Sequence, residues 1–182
     1  GRVLDDGFQP LLGAAGEVVV SVSRGNVGEH LVMAELLYRG FDAYWADRGN
    51  PAFDISCHWN ETGRATRLRV KTTSNHSAIW KVKKSGVVFL DLQPKDDFTV
   101  IVDMGRSLRD RDIYIVDTND LQAGLESDYA FYVSHPKRDG TPRKGEQGMR
   151  CIRFHGEEKP TDLGWGYNKK FASHCEAWDQ LK

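Results

Sequence analysis

Disulfide chemistry has little to work with in this chain. Its 182 residues hold three cysteines, Cys57, Cys151 and Cys175, an odd and widely spaced set with no CxxC pair. That spacing excludes a disulfide framework and offers no zinc-ligand pattern. Three reduced thiols in a cytoplasmic protein are the expectation. Long apolar runs are also missing. No stretch approaches the roughly 20 residues that span a bilayer. The mildly apolar stretch Leu11 to Val22 is interrupted by Glu17 and follows no basic segment. Neither a membrane helix nor a signal peptide is therefore expected. An excess of one charge is absent as well: 25 Lys and Arg stand against 26 Asp and Glu, a net of -1. This excludes a polycationic, histone-like binder but leaves room for a local basic face. The chain shows no internal repeat and no low-complexity segment. Its histidines (His30, His58, His76, His135, His155, His174) show neither HxH nor HxxxH metal spacing. They read as structural or surface residues, with His76 near enough to Lys71 to face a site built there.

What remains is the composition of a globular protein, 40% hydrophobic and 28% charged. The length suits one domain over 1–182 that buries its own core. The segment Glu17 to Ser23 is compatible with either a short strand or an early helix. Arg24-Gly25-Asn26 reads as a break, with Asn26 as the N-cap of a helix over Val27 to Tyr38 and Gly40 at its C′ position. Strands are expected over Phe41 to Ala46, Phe53 to Trp59 and Arg64 to Thr72. Asn60 to Gly63 serves as the hairpin loop between the last two. In Arg64 to Thr72, Thr66, Leu68 and Val70 alternate with Arg67, Arg69 and Lys71, the period of a strand with one buried face. Further strands are expected over Val87 to Leu92, Phe98 to Asp103, Ile113 to Val116 and Met149 to Phe154. Asp117 to Asp120 would cap a short helix. Pro136 to Gln147 reads as an exposed basic loop. Tyr167 to Leu181 reads as a C-terminal helix, with Phe171, Cys175, Trp178 and Leu181 on one face. The fold class is α/β: a central mixed β-sheet flanked by helices.

Three pieces carry chemistry. Gly25-Asn26-Val27-Gly28-Glu29 opens the helix, Phe53-Asp54-Ile55 sits on a strand, and Arg69-Val70-Lys71-Thr72-Thr73 ends the next strand. With residues 60–63 as the loop, Trp59 pairs with Arg64, and counting back sets Asp54 opposite Arg69. Residues 69 and 71 share a face because strands alternate. Asp54, Arg69 and Lys71 should then meet on one side of the hairpin.

This ordered set resembles the PD-(D/E)XK nuclease superfamily, in particular its branch of group I intron homing endonuclease-like and Holliday junction resolvase-like proteins. The resemblance covers about residues 24–118 and leaves 119–182 as a C-terminal extension. It implies a restriction-endonuclease-like core and a metal-dependent endonuclease that hydrolyses DNA phosphodiester bonds. It implies catalytic roles for Glu29, Asp54 and Lys71, with Asp54 and Glu29 holding Mg²⁺ or Mn²⁺, as one or two ions. DNA is the implied partner, with RNA as a second candidate, no membrane, and a dimer as a compatible assembly. One position departs from the pattern. Arg69 stands where the superfamily keeps its second acid, and a guanidinium offers only donors and a positive charge. That substitution weakens the implied metal site.

Other readings of the same residues stay open. Asp54 and Arg69 suit a cross-strand ion pair on a half-solvated face. Glu29 suits the first turn of any helix. Lys81, Lys83 and Lys84, interleaved with Trp80, match a phosphate- and base-contacting surface or a solvated edge. Lys137 and Arg138 in the basic loop allow the same two readings. A catalytically degenerate nuclease fold that binds without cutting, and a protein-interaction module, are the competing functions.

Overall fold

In a computed structural model, the chain is described over residues 16–47, 49–83, 86–105, 108–143, 148–153 and 172–182, with backbone alone for 16–23. Helix α1 (Gly16–Tyr38) is followed by strands β1 (Asp42–Trp45), β2 (Ile55–Trp59), β3 (Arg64–Thr73), β4 (Ser77–Lys81), β5 (Asp97–Asp103) and β6 (Asp112–Asp117). Helix α2 (Thr118–Ser134) and strand β7 (Met149–Arg153) come next. Five strands form one mixed sheet in the order β1-β2-β3-β5-β6, while β4 and β7 form a separate two-stranded ribbon. Only β3 and β5 run parallel within the main sheet.

The alternation of side chains builds two cores on the two faces of the main sheet. Leu68, Phe98, Val100, Val102, Ile113 and Ile115 face α1 and pack with its Val32, Met33 and Leu36. Ile101, Tyr114 and Val116 face the other way, against Leu121 and Leu125 of α2 and Ala78 and Ile152 of the ribbon. Strand β5 is buried along its whole length, as its near-continuous apolar run requires of a central strand. Among the described residues no helix is long and apolar enough to cross a membrane.

Several expectations need correction. Helix α1 runs unbroken through Arg24, Gly25 and Asn26, so Asn26 is an interior residue and not an N-cap. An interior glycine costs only about 1 kcal/mol relative to alanine, too little to end a helix that is packed on a sheet. Gly40 does fill its predicted place. It has φ +87°, its N–H donates to Leu37 O at 3.1 Å, and the Phe41 N–H donates to Leu36 O at 3.0 Å. These two bonds make a Schellman close.

Val87 to Leu92 is not a strand. Its Val88 and Phe89 are buried instead beside the ribbon. Strand β4 was not anticipated. The predicted short helix after Asp117 is a 17-residue one, with Asp117 capping it by accepting from Asn119 N and Asp120 N. No helix runs through the described end of the chain. Short 3₁₀ turns occur at Ala172–His174 and Trp178–Leu181, and Glu176 between them has φ +52°. The Glu176 N–H donates to Ile113 O at 2.8 Å, and Cys175 bridges to Tyr114. This segment therefore runs along the β6 edge, and Trp178 and Leu181 complete the core behind it.

Gly28 fixes how close α1 comes to β3. A Cβ built on it would collide with Thr72 Oγ1 and would also lie 3.0 Å from Thr72 Cβ. Rotating the threonine cannot clear the second contact. Gly28→Ala should cost about 1–3 kcal/mol by overpacking, read as a lower midpoint in thermal or urea unfolding. Adding Thr72→Ala should recover part of the loss. Additive losses in the double variant would refute the contact.

Candidate functional site

The β2–β3 hairpin has the register counted from the sequence. Trp59 faces Arg64 and Ile55 faces Leu68. Asp54 lies one step before β2, where its N–H donates to Leu68 O at 2.8 Å. Its side chain turns across the pair, and Oδ2 accepts the Val70 N–H at 2.7 Å. Two clefts meet at this carboxylate. One, of about 560 Å³, is lined by Asp54 with Glu29, His30 and Asp47. The other, of about 440 Å³, is lined by Asp54 with Arg69, Lys71, Trp80 and Lys81. Asp54 thus shares one cleft with Glu29 and the other with Lys71. Gly28 sets Glu29 in its cleft by letting its helix turn approach Thr72.

The electrostatics are those of charges partly withdrawn from water. Burial pushes the Asp54 carboxyl above its ordinary value, opposed by the Val70 N–H and by the nearby Arg69. Burial also raises Glu29, and the charge of Asp54 adds to the rise. Burial pushes the Lys71 ammonium below its usual value. Its Nζ lies 5.8 Å from the Trp80 ring centroid, a cation–π contact.

Arg69 does not pair with Asp54. Its Nη1 donates to Asp97 Oδ1, and its Nη2 donates to Leu90 O at 2.9 Å. Asp97 is fully buried and also accepts from Arg67 Nη2 at 2.6 Å and Gln93 N at 3.2 Å. The simple cross-strand ion pair expected of Asp54 and Arg69 is therefore replaced by a buried Arg67–Asp97–Arg69 cluster. The guanidinium still lines the cleft, but its donors are committed to β5 and the loop before it. Asp97 was missed at the sequence level. Its strand joins β3 in parallel, and no hairpin count reaches across such a connection.

The basic residues divide. Lys81 and Lys83 line the cleft with Lys71. Lys84 lies outside the described residues. Lys137 and Arg138 sit on an exposed turn after α2, closed by Lys137 N donating to Thr141 O at 2.8 Å. They do not line either cleft. His76, rather than facing Asp54, is hydrogen-bonded through Nδ1 to Asp103 Oδ2 at 2.7 Å, beyond the far end of β3. The cleft also takes in Trp80, marked in the sequence beside Lys81 and Lys83, and Ile79 and Met149, which the sequence did not mark. Their exposure beside a charged site becomes visible only once β4 and β7 are paired.

This architecture, a mixed sheet with helices on its faces and a hairpin delivering Asp54 and Lys71, is a nuclease-like α/β fold. The structure of a bacterial homing endonuclease, I-Ssp6803I, matches it with a TM-score of 0.50 over 87% of this chain and 90% of that one, at 12% sequence identity. At that identity the likeness is one of fold. No protein-family model and no curated protein matches the sequence.

Two measurements test this electrostatic frame. Folding raises the Asp54 pKa, so the folded protein holds that proton more tightly than the unfolded chain. The contribution to stability is full below the ordinary value of 3.8 and is lost as pH rises through the raised value. For Lys71 the folded value is lowered. Its contribution is full above 10.5 and is lost as pH falls, so at neutral pH the ammonium opposes folding. Asp54→Asn and Lys71→Met should each raise the melting temperature at pH 7 by a few degrees, and Asp54→Asn should flatten the pH dependence just above 4. Unchanged melting would count against buried charge at the site. Asp97→Ala should do the reverse, leaving two arginines unpaired at a cost of about 3–5 kcal/mol in urea unfolding.

Proposed function

We propose that this chain is a metal-dependent endonuclease of the PD-(D/E)XK type, hydrolysing phosphodiester bonds in DNA. The observation that carries the reading is the position of Asp54, which lines two clefts at once with Glu29 on one side and Lys71 on the other. The donor set fits a divalent cation. Two carboxylates supply hard oxygens, and each carries a charge that burial disfavours and that a cation would stabilise. Asp54 Oδ2 is engaged by Val70 N–H, so Oδ1 is the free donor. With Glu29 this suits one ion whose shell is completed by waters and a substrate phosphate. A bound Mg²⁺ supplies polarisation of the phosphate and a lowered pKa for an attacking water.

The other roles fall to the chain itself. Lys71, half-buried beside Asp54, offsets charge on the pentacovalent phosphate. Arg69, locked by Asp97 and Leu90 O, gives a fixed positive field behind it. It stands in the superfamily's second acidic position without touching Asp54. A cationic wall of Lys71, Arg69, Lys81 and Lys83 around the cleft suits the phosphate backbone.

One observation favours a second reading, a degenerate nuclease fold that binds nucleic acid without cutting. Among the described residues no three His, Cys, Asp or Glu side chains converge as a metal cluster, and Arg69 occupies the acid's place. Plasmid incubated with Mg²⁺ or Mn²⁺ separates the two. Cleavage by the wild type should fall about a hundredfold or more in Lys71→Ala and Asp54→Asn. Cleavage that survives both changes defeats the assignment. Duplex binding without cleavage, with cutting gained on Arg69→Gln, establishes the second reading.

A further inference from the structure

We propose that the β4–β7 ribbon reads duplex DNA by entering the major groove, with Ile79, Lys81 and Met149 toward the base edges. The proposal rests on the DNA-directed reading above and names the element that chooses the sequence. Ribbon burial alternates. Ala78, Arg150 and Ile152 are buried, while Ile79, Lys81, Met149, Cys151 and Arg153 are exposed. The back of the ribbon is anchored. Ala78 and Ile152 pack with Leu121 and Leu125, and Arg150 makes a two-pronged contact to Glu126 at 2.8 and 3.2 Å. Its outward face is left without cover: Ile79 is 43% and Met149 62% exposed.

That face has a chemistry. Neither strand contains Asp or Glu, and the outward face carries Lys81 and Arg153 in a chain whose net charge is -1. Ile79, Lys81 and Met149 also line the cleft that holds Asp54 and Lys71, so a duplex seated on the ribbon presents its backbone to the same site. A two-stranded ribbon matches the roughly 12 Å width of the B-form major groove. Apolar side chains there meet thymine methyl groups, and a lysine meets guanine O6 and N7. The A-form major groove of RNA is too narrow for such an insertion. The occupant is therefore DNA.

The test is selection from a randomised duplex pool at physiological salt without divalent metal, using wild type, Lys137→Ala, Lys81→Ala and the double variant Ile79→Ser with Met149→Ser. Wild type and Lys137→Ala, whose lysine lines neither cleft, should enrich the same sequence. The ribbon variants should lose that preference and bind the selected duplex about tenfold or more weakly, while melting as the wild type does. Cys151, on the same outward face, reports on the unaltered ribbon. In a Cys175→Ser background, saturating duplex should slow its alkylation by iodoacetamide. Ribbon variants that keep the preference, an unchanged alkylation rate, or equal affinity for double-stranded RNA overturn the ribbon's role even where DNA is cut. A wild type that neither binds nor cuts duplex DNA overturns the nuclease reading and the ribbon with it.

Discussion

A carboxylate with no solvent exposure is costly unless its charge is met, and Asp97 is met twice. Arg67 and Arg69, two residues apart on β3, both reach it, and the Gln93 N–H adds a third donor. An unpaired ion in this position would be strongly destabilising. The cluster therefore pins β5 beside β3 in the observed parallel register, Arg67 facing Asp97. It draws the preceding loop in through Leu90 O. It also decides what Asp54 can do. With Arg69 held away, the Asp54 carboxylate is left to the Val70 N–H and to whatever enters the two clefts.

The parts of this arrangement that sequence revealed are local. The β2–β3 hairpin was countable because its loop is short and marked by Gly63, so Asp54, Arg69 and Lys71 could be placed on one side of it. The Schellman close at Gly40 was legible for the same reason. The failures share a cause too. Strand β4 pairs with β7 across some seventy residues, and Asp97 meets β3 through a parallel connection. Neither leaves a short-range signal. Arg24-Gly25-Asn26 has break-like composition, but packing of α1 on the sheet outweighs it. The end of the chain was given a helical period, yet open hydrogen-bonding positions on β6 compete for it, and the left-handed Glu176 follows from that competition.

Near-neutral overall charge coexists with a strongly polarised site. Arginines on β3 are consumed by internal carboxylates, as with Arg64 on Asp96 at 2.6 Å and Arg67 and Arg69 on Asp97. The lysines of the site are not used in this way: Lys71, Lys81 and Lys83 line the cleft. Arginine's planar fork suits fixed pairing, and lysine's single mobile charge suits a phosphate that comes and goes. The division of labour between the two cations explains how a balanced sequence keeps a positive cleft.

The strip along β6 has a consequence for synthesis. Trp178 and Leu181 close the core that α1 opens, and Arg39 at the end of α1 lies 5.0 Å from the Trp178 ring centroid. Contacts spanning so much of the chain carry a high contact order and a slow search. During translation the α1 face of the sheet stays unsealed until residues 178–181 have cleared the ribosome. A partly made chain thus carries Asp54 and Lys71 long before the scaffold that fixes them is complete.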